Sequence, residues 1–381
     1  MPVLTLEEIK TAVILRQIEA ISVDTSIFHQ YNYGLEAGLL MQLEQFSRKG
    51  IPHLICDMIL FEITSHLVTA AEKRQAELRT ALKNLSNSWG MSKDRRDAVG
   101  ESLFDKTAVQ VTKERLDAFL ESTHATTIEC AEYAKLSDVT KLYYETKPPF
   151  GAKEDKKKEF PDAIALLALE EWSRINKKNI LVVSSDGDWK GFCETSSFLY
   201  FIEKLPHALS SFQFGADDAL AIFKKAIENG DVSDLIGQID YKVNMDSDNI
   251  EIDVEVDSYF SCEHSVDQVI VYLHDAIEEI LNNFEVINYE DESLELRLPI
   301  NASIHVDVGI HLHAWDGGDR EYVSIGSTTC SSIEDETLEL VFRVSLDGGV
   351  EIESIELQPH RIYLRFEDVQ PDYSDVQDEY D

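Results

Sequence analysis

The chain has 381 residues, 44% hydrophobic and 28% charged, with a formal net charge of −38 at pH 7. That apolar share suffices for packed cores, but no apolar run approaches the roughly 20 residues of a membrane-spanning helix. The five cysteines, at 56, 130, 193, 262 and 330, stand singly with no Cys-x-x-Cys pair, which argues against a disulfide or zinc framework and fits a reducing cytosol.

The length predicts two domains, and the charge divides the chain in the same way. Residues 1–205 carry 26 Lys+Arg and 31 Asp+Glu, whereas residues 206–381 carry 8 and 41. A polyanion binds through lysine and arginine, so any nucleic acid is expected on the first half. The opening residues, Met1 to Lys10, hold two acids and no basic cluster, which predicts no secretory signal and a cytoplasmic protein.

In chain order, Leu4 to Glu19 reads as a helix and Ala20 to Val23 as a short strand ending at Asp24-Thr25-Ser26. Leu35 to Phe46 is helical. Ile51 to Cys56 is a second strand, placed near a sheet edge because Pro52 interrupts it. Asp57 caps a long helix from about Met58 to Leu85, with Ile59, Ile63 and Leu67 on its apolar side. Glu62 sits in its first turns, on the exposed stripe or at a polar site inside the fold. Residues 86–125 form a polar helical insertion carrying Lys93, Arg95, Arg96, Lys106, Lys113 and Arg115. A solvated helix surface accounts for these cations better than a rim for a phosphate backbone does.

Ala131 to Glu145 is a further helix, ended by Lys147-Pro148-Pro149-Phe150-Gly151. Lys153, Lys156, Lys157 and Lys158 follow, directly before Glu159-Phe160-Pro161-Asp162-Ala163. Pro161 suits the first turn of a helix, and Asp162 lies where the helix dipole favours a carboxylate. Ile180 to Val183 is a continuous β-branched and leucine run, the mark of a strand buried on both faces. Asp186 and Asp188 stand just beyond it. Alternating strands and helices to about residue 205 predict a parallel α/β sheet. There is no G-x-G-x-x-G and no Walker lysine motif, so a nucleotide cofactor is unsupported.

After Pro206 the pattern changes. A helix over Asp217–Asn229 is followed by expected strands at Ile239–Met245, Ile250–Val256, Phe284–Tyr289, Leu294–Trp315, Tyr322–Ser327, Thr337–Ser345 and Val350–Phe366, with a helix at Val266–Leu281. This predicts an acidic antiparallel α+β domain. His305, Asp307, His311 and His313 share one parity, and the solvated face of a strand accounts for them better than a metal site. Residues 367–381 hold seven acids and no base, the composition of a disordered tail.

Four acids thus cluster by topology: Asp24 and Asp186 follow strands, and Glu62 and Asp162 begin helices. A parallel sheet brings strand carboxyl ends and the following helix starts to one edge. The ordinary account of each acid alone is a helix cap or turn residue. Carboxylates gathered without basic partners repel one another and call for a divalent cation, and oxygen ligands suit Mg²⁺ or Mn²⁺.

The set Val23-Asp24-Thr25-Ser26, Phe61-Glu62-Ile63, Phe160-Pro161-Asp162-Ala163 and Ser184-Ser185-Asp186-Gly187-Asp188-Trp189 resembles a PIN domain. It resembles the PIN-like group that carries a Pro-Pro-Phe-Gly loop and a Glu-Phe-Pro-Asp-Ala motif, here Pro148–Gly151 and Glu159–Ala163. The resemblance covers about residues 18–205. It implies a three-layer α/β/α nuclease, usually acting on RNA, with Asp24, Glu62, Asp162 and Asp186 as catalytic metal ligands and Asp188 as either an additional ligand or a turn residue. Thr25 or Ser26 would match the hydroxyl that bonds the metal or its water, and Lys153 to Lys158 would hold the strand. A toxin or defence role is compatible with the family. The acidic second half is expected to serve as a protein-partner or homo-oligomer surface or as a restraint on the nuclease. The rival reading is a non-catalytic acidic module that mimics nucleic acid.

Overall fold

The computed structural model describes residues 4–151, 159–213, 215–232, 234–318 and 321–372. It divides into two compact units, Met1–Gln213 and Phe214–Asp381. No helix among the described residues is long and apolar enough to cross a membrane.

The first unit runs α1 (Leu6–Ile14), β1 (Ala20–Val23), α2 (Thr25–Gln30), α3 (Gly38–Met41), α4 (Gln45–Arg48), β2 (His53–Cys56) and α5 (Asp57–Trp89). Then follow α6 (Lys93–Leu103), α7 (Ala108–Ser122), β3 (Thr126–Ile128), α8 (Cys130–Tyr133), α9 (Leu136–Glu145), α10 (Phe160–Asn176), β4 (Ile180–Val183), α11 (Gly187–Thr195), β5 (Leu199–Ile202) and α12 (Leu205–Ser210). The five strands form one parallel sheet in the order β3-β2-β1-β4-β5, flanked by helices. All four residues of β1 and of β4 are buried, as their apolar runs require. Their register sets Val23 opposite Val183, so Asp24 and Ser184 leave the sheet side by side.

Several local expectations are corrected here. The first helix stops at Ile14, not Glu19. β2 is paired on both sides, because Pro52 stands just outside the strand, where its carbonyl accepts from Ile21 N–H at 3.0 Å. The helix expected at 131–145 is broken at Ala134, which is extended. In the insertion, α6 buries nothing, but α7 turns Thr112, Leu116 and Phe119 inward, and Phe119 meets Phe28 edge-on at 5.7 Å. Three of the six cations named in it are paired: Arg96 with Asp97, Lys106 with Glu114, and Arg115 with Glu36.

The second unit has α13 (Ala216–Asn229), α14 (Leu235–Met245), β6 (Ile250–Val256), β7 (Ser261–Leu273), α15 (Ile277–Asn283), β8 (Glu285–Glu290), β9 (Ser293–Asp316), β10 (Glu321–Ser345), β11 (Glu351–Leu357) and β12 (His360–Phe366). An antiparallel sheet follows the order β11-β10-β9-β7, with β8 also on β9. β12 and β6 form a separate parallel pair.

The strand expected at Ile239–Met245 is instead part of helix α14. Leu235, Ile239 and Val243 bury one helical face, and Asp234 caps the start by accepting from Gly237 N–H at 3.2 Å. The helix expected at Val266–Leu281 is strand β7 as far as Leu273, and its last residues, from Ile277, are helical in α15. Its apolar residues mimic helical spacing, but pairing along β9 wins, with a bulge between Val266 and Gln268. The segments Tyr322–Ser327 and Thr337–Ser345 are one strand, because the polar stretch between them pairs with β9 throughout.

The alternation on β9 holds: Val306, Val308, Ile310 and Leu312 are buried, while His305 and Asp307 face the other way, against Tyr272 and Ser331. The expected disordered tail is ordered as far as residue 372. Ser258 Oγ donates to Val369 O at 2.7 Å, Asp372 N–H donates to Ser327 O at 3.2 Å, and Val369 is buried. Residues 373–381 lie outside the described residues.

Candidate active site

Asp24 is the end of β1 and the N-cap of α2, and it is buried at 4% exposure. Its Oδ1 accepts from Thr25 N–H at 2.7 Å, and its Oδ2 from Ser26 Oγ at 2.6 Å and Ser184 Oγ at 2.8 Å. Burial still raises its pKa, because these donors only partly replace water.

Glu62 lies one and a half turns into α5, half-buried, next to a Phe61 that is fully outward. Thr25 Oγ1 donates to Glu62 Oε2 at 2.8 Å. Of the two readings for Glu62, the polar site inside the fold is therefore the one found. The Thr25 hydroxyl is directed to Glu62, and the Ser26 hydroxyl to Asp24.

Asp162 is the third residue of α10, and Trp189 Nε1 donates to its Oδ1 at 2.9 Å. Its carboxyl is pushed up to about 7, first by burial and then by the negative charges of Asp24, Glu62 and Glu159, against the lowering effect of the Trp189 N–H. Asp162 thus feels Asp24 and Glu62 as neighbours, with no base among the causes.

The entry to α10 is fixed by aromatic packing. Phe150 of the Pro-Pro-Phe-Gly loop is 1% exposed and meets Phe160 at 5.0 Å, with Tyr143 at 5.4 Å. Pro148 of the same loop abuts α11, where a Cβ on Gly191 would come within 3.2 Å of its ring. The loop therefore wedges the starts of α10 and α11 together.

Asp186 caps α11, accepting from Asp188 N–H at 2.6 Å, and its own N–H donates to Ser184 Oγ at 3.0 Å. Ser184 thereby links Asp186 to Asp24. Asp188 is half-buried in the first turn of α11. Lys153, Lys156, Lys157 and Lys158 lie outside the described residues.

Sequence reasoning assigned no role to Ser184, Trp189 or Glu159. All three stand within the quoted motifs, but only the fold shows that Ser184 bonds Asp24, that Trp189 holds Asp162, and that Glu159 adds to its charge environment.

Among the described residues no three His, Cys, Asp or Glu side chains converge as a preformed metal cage. The donor chemistry nevertheless suits a hard divalent cation. Every candidate ligand is a carboxylate or hydroxyl oxygen, and burial, together with neighbouring negative charge, pushes the Asp162 carboxyl up to about 7.

Residues 21–189 match the family model of a PIN domain. The matched stretch begins in β1 and ends at Trp189, and it contains Asp24, Glu62, Asp162, Asp186 and Asp188. PIN domains are generally nucleases that use divalent metal ions. No curated protein matches the chain, and no solved structure does.

Proposed function

We propose, on the premise of the PIN-domain match, that this protein is a metal-dependent endoribonuclease working in the cytoplasm. The observation that carries the reading is Asp162, a carboxyl raised to about 7 beside the charges of Asp24, Glu62 and Glu159. Such a set of carboxyl groups, gathered beside one another, is what a divalent ion would occupy. Asp24, Glu62, Asp162 and Asp186 would hold Mg²⁺ or Mn²⁺, with Asp188 beside them. When bound, the ion supplies a reactive water at neutral pH and offsets charge on the scissile phosphate.

The chain's own groups orient the set. Ser26, Ser184 and the Thr25 N–H hold Asp24, Thr25 Oγ1 holds Glu62, and Trp189 holds Asp162. Lys153, Lys156, Lys157 and Lys158 would steady the phosphates of the strand. The acidic second unit is assigned to a protein partner, a second copy of the chain or restraint of the nuclease.

The test is cleavage of labelled single-stranded RNA and DNA with Mn²⁺ by the wild type and by Asp162→Asn. Metal-dependent RNA cutting, reduced at least about a hundred-fold in the variant, is expected. Preference for DNA would revise the substrate. No cutting by a folded wild type whose melting temperature ignores Mn²⁺ would favour the non-catalytic acidic module.

A further inference from the structure

We infer that His66, Tyr33 and His29 form a stacking platform for a nucleobase of the strand held at the acid site; the inference rests on the nuclease reading. His29 and His66 lie on the two helices that already meet at that site, α2 and α5, and Tyr33 lies in the turn just after α2. Thr25 and His29 are four residues apart on α2, as are Glu62 and His66 on α5, and four residues is about one helical turn. The first pair is joined by the hydrogen bond from Thr25 Oγ1 to Glu62. One turn further on, Tyr33 bridges the second pair. Its ring stacks on His66 at 5.8 Å and 24°, and His29 meets it edge-on at 6.2 Å and 85°.

Two observations set this cluster apart from ordinary packing. First, His66 and His29 are exposed, so the stack ends at solvent rather than in the core. Second, Tyr33 has φ +52° and its neighbour Asn32 has φ +47°. A bulky residue in the left-handed region is rare and persists where the surroundings hold it there, often at functional positions. Here Tyr33 N–H donates to Phe28 O at 2.8 Å, and Arg115 Nη2 donates to Tyr33 O at 3.4 Å. Arg115 is itself gripped by Glu36, through Nε at 2.5 Å and Nη2 at 2.9 Å. The helical insertion thus reaches back through α7 and fixes the backbone that presents the ring.

Flat rings beside a phosphodiester-cutting site recognise the face of a base without reading its identity. A duplex offers no free face, so the platform selects an unpaired nucleotide next to the bond that is cut.

The test uses the full chain, with a labelled single-stranded RNA and versions carrying one abasic nucleotide at successive positions. His66→Ala is expected to raise KM roughly ten-fold with kcat little changed. His66→Tyr, which keeps a ring but cannot act as an imidazole, should restore KM. One abasic position should reproduce the loss, and combining it with His66→Ala should cost no more than either alone. Unchanged KM in His66→Ala, a loss confined to kcat, or fully additive losses at every abasic position would overturn the platform. Binding of the same RNAs is also read by anisotropy in EDTA. A His66-dependent affinity without any cleavage would then sink the nuclease reading and leave the platform standing, and cleavage indifferent to His66 would do the reverse.

Discussion

The two units treat negative charge in opposite ways. In the second unit, acids that leave the surface meet arginines. Arg297 is 5% exposed and held between Glu285 and Glu339, Arg343 pairs with the buried Glu295, and Arg361 with Glu251. In the first unit, Asp24 and Asp162 are sunk among hydroxyls, an indole and other acids, and burial raises both. A protein with 72 acids and 34 bases had arginines to place there. Burial of charge beside hydroxyls and other acids weakens a fold, and perturbed carboxyl groups of this kind are candidates for a functional site. The net charge of the chain is concentrated in the second unit, whereas the buried carboxyl groups with no base among the causes of their shifts lie in the first.

The contrast breaks most sharply under substitution. Arg297→Ala should destabilise the second unit by about 3–5 kcal/mol, because two glutamates lose their counter-charge. Urea unfolding followed in that unit reads it. At the site the sign reverses. Asp162→Asn should stabilise the metal-free protein above neutral pH by roughly 2–4 kcal/mol. The folded carboxyl is pushed up to about 7 from the ordinary 3.8 of an aspartate. Between these values the folded state keeps a proton that the unfolded chain has lost, so stability falls as pH rises through the window. The advantage of the variant should therefore be absent near pH 4 and complete above pH 7. His53, buried with its pKa lowered to about 4, tilts the other way, since the unfolded chain protonates first as pH drops below 6.5. The contribution of Asp24, raised by burial in both proteins, falls with rising pH alike in each, so the variant should gain stability relative to the wild type as pH rises from 4 to 7. A wild type that gains stability steeply over that range would refute the assignment to Asp162.

Metal addition sharpens the same comparison. Mn²⁺ at a hundred times its dissociation constant should stabilise the first unit by about 2.7 kcal/mol and leave the second unmoved. Differential scanning calorimetry with and without EDTA separates the two transitions. The smallest effect expected is that of Thr25→Val, about 1 kcal/mol, from loss of the Glu62 hydrogen bond.

The sequence disclosed the first unit better than the second, for physical reasons. β1 and β4 are continuous apolar runs that no exposed element resembles, and the acids follow them directly. The short β3, with two of its three residues exposed, has no such signature. In the second unit, α14 and β7 both carry apolar residues compatible with either period, and only partners distant in sequence decide between them. The polar middle of β10 reads as a break, yet it is strand because β9 runs beside it. At the site, residue types and spacing gave the carboxylates, but not the atoms that hold them. Nothing local tells that Ser184 bonds a residue 160 positions earlier or that the Trp189 indole reaches Asp162. Tyr33 is equally hidden, since its backbone conformation comes from Phe28 and Arg115.

The outer strands of the second unit give its acidity a further meaning. β7 and β11 each leave one side of the sheet unpaired. β7 carries Glu263, Asp267 and a bulge, and the pairing of β11 with β10 is likewise irregular, with Glu351, Glu353 and Glu356 along it. Charge and bulges are the means by which open edges avoid recruiting further strands. The negative surface then acts as a barrier to fibre growth, and it is only as durable as its ionisation. Acidified toward the carboxylate range, the unit should cross-link edge to edge while its core is still folded, and thioflavin fluorescence should rise before the sheet melts.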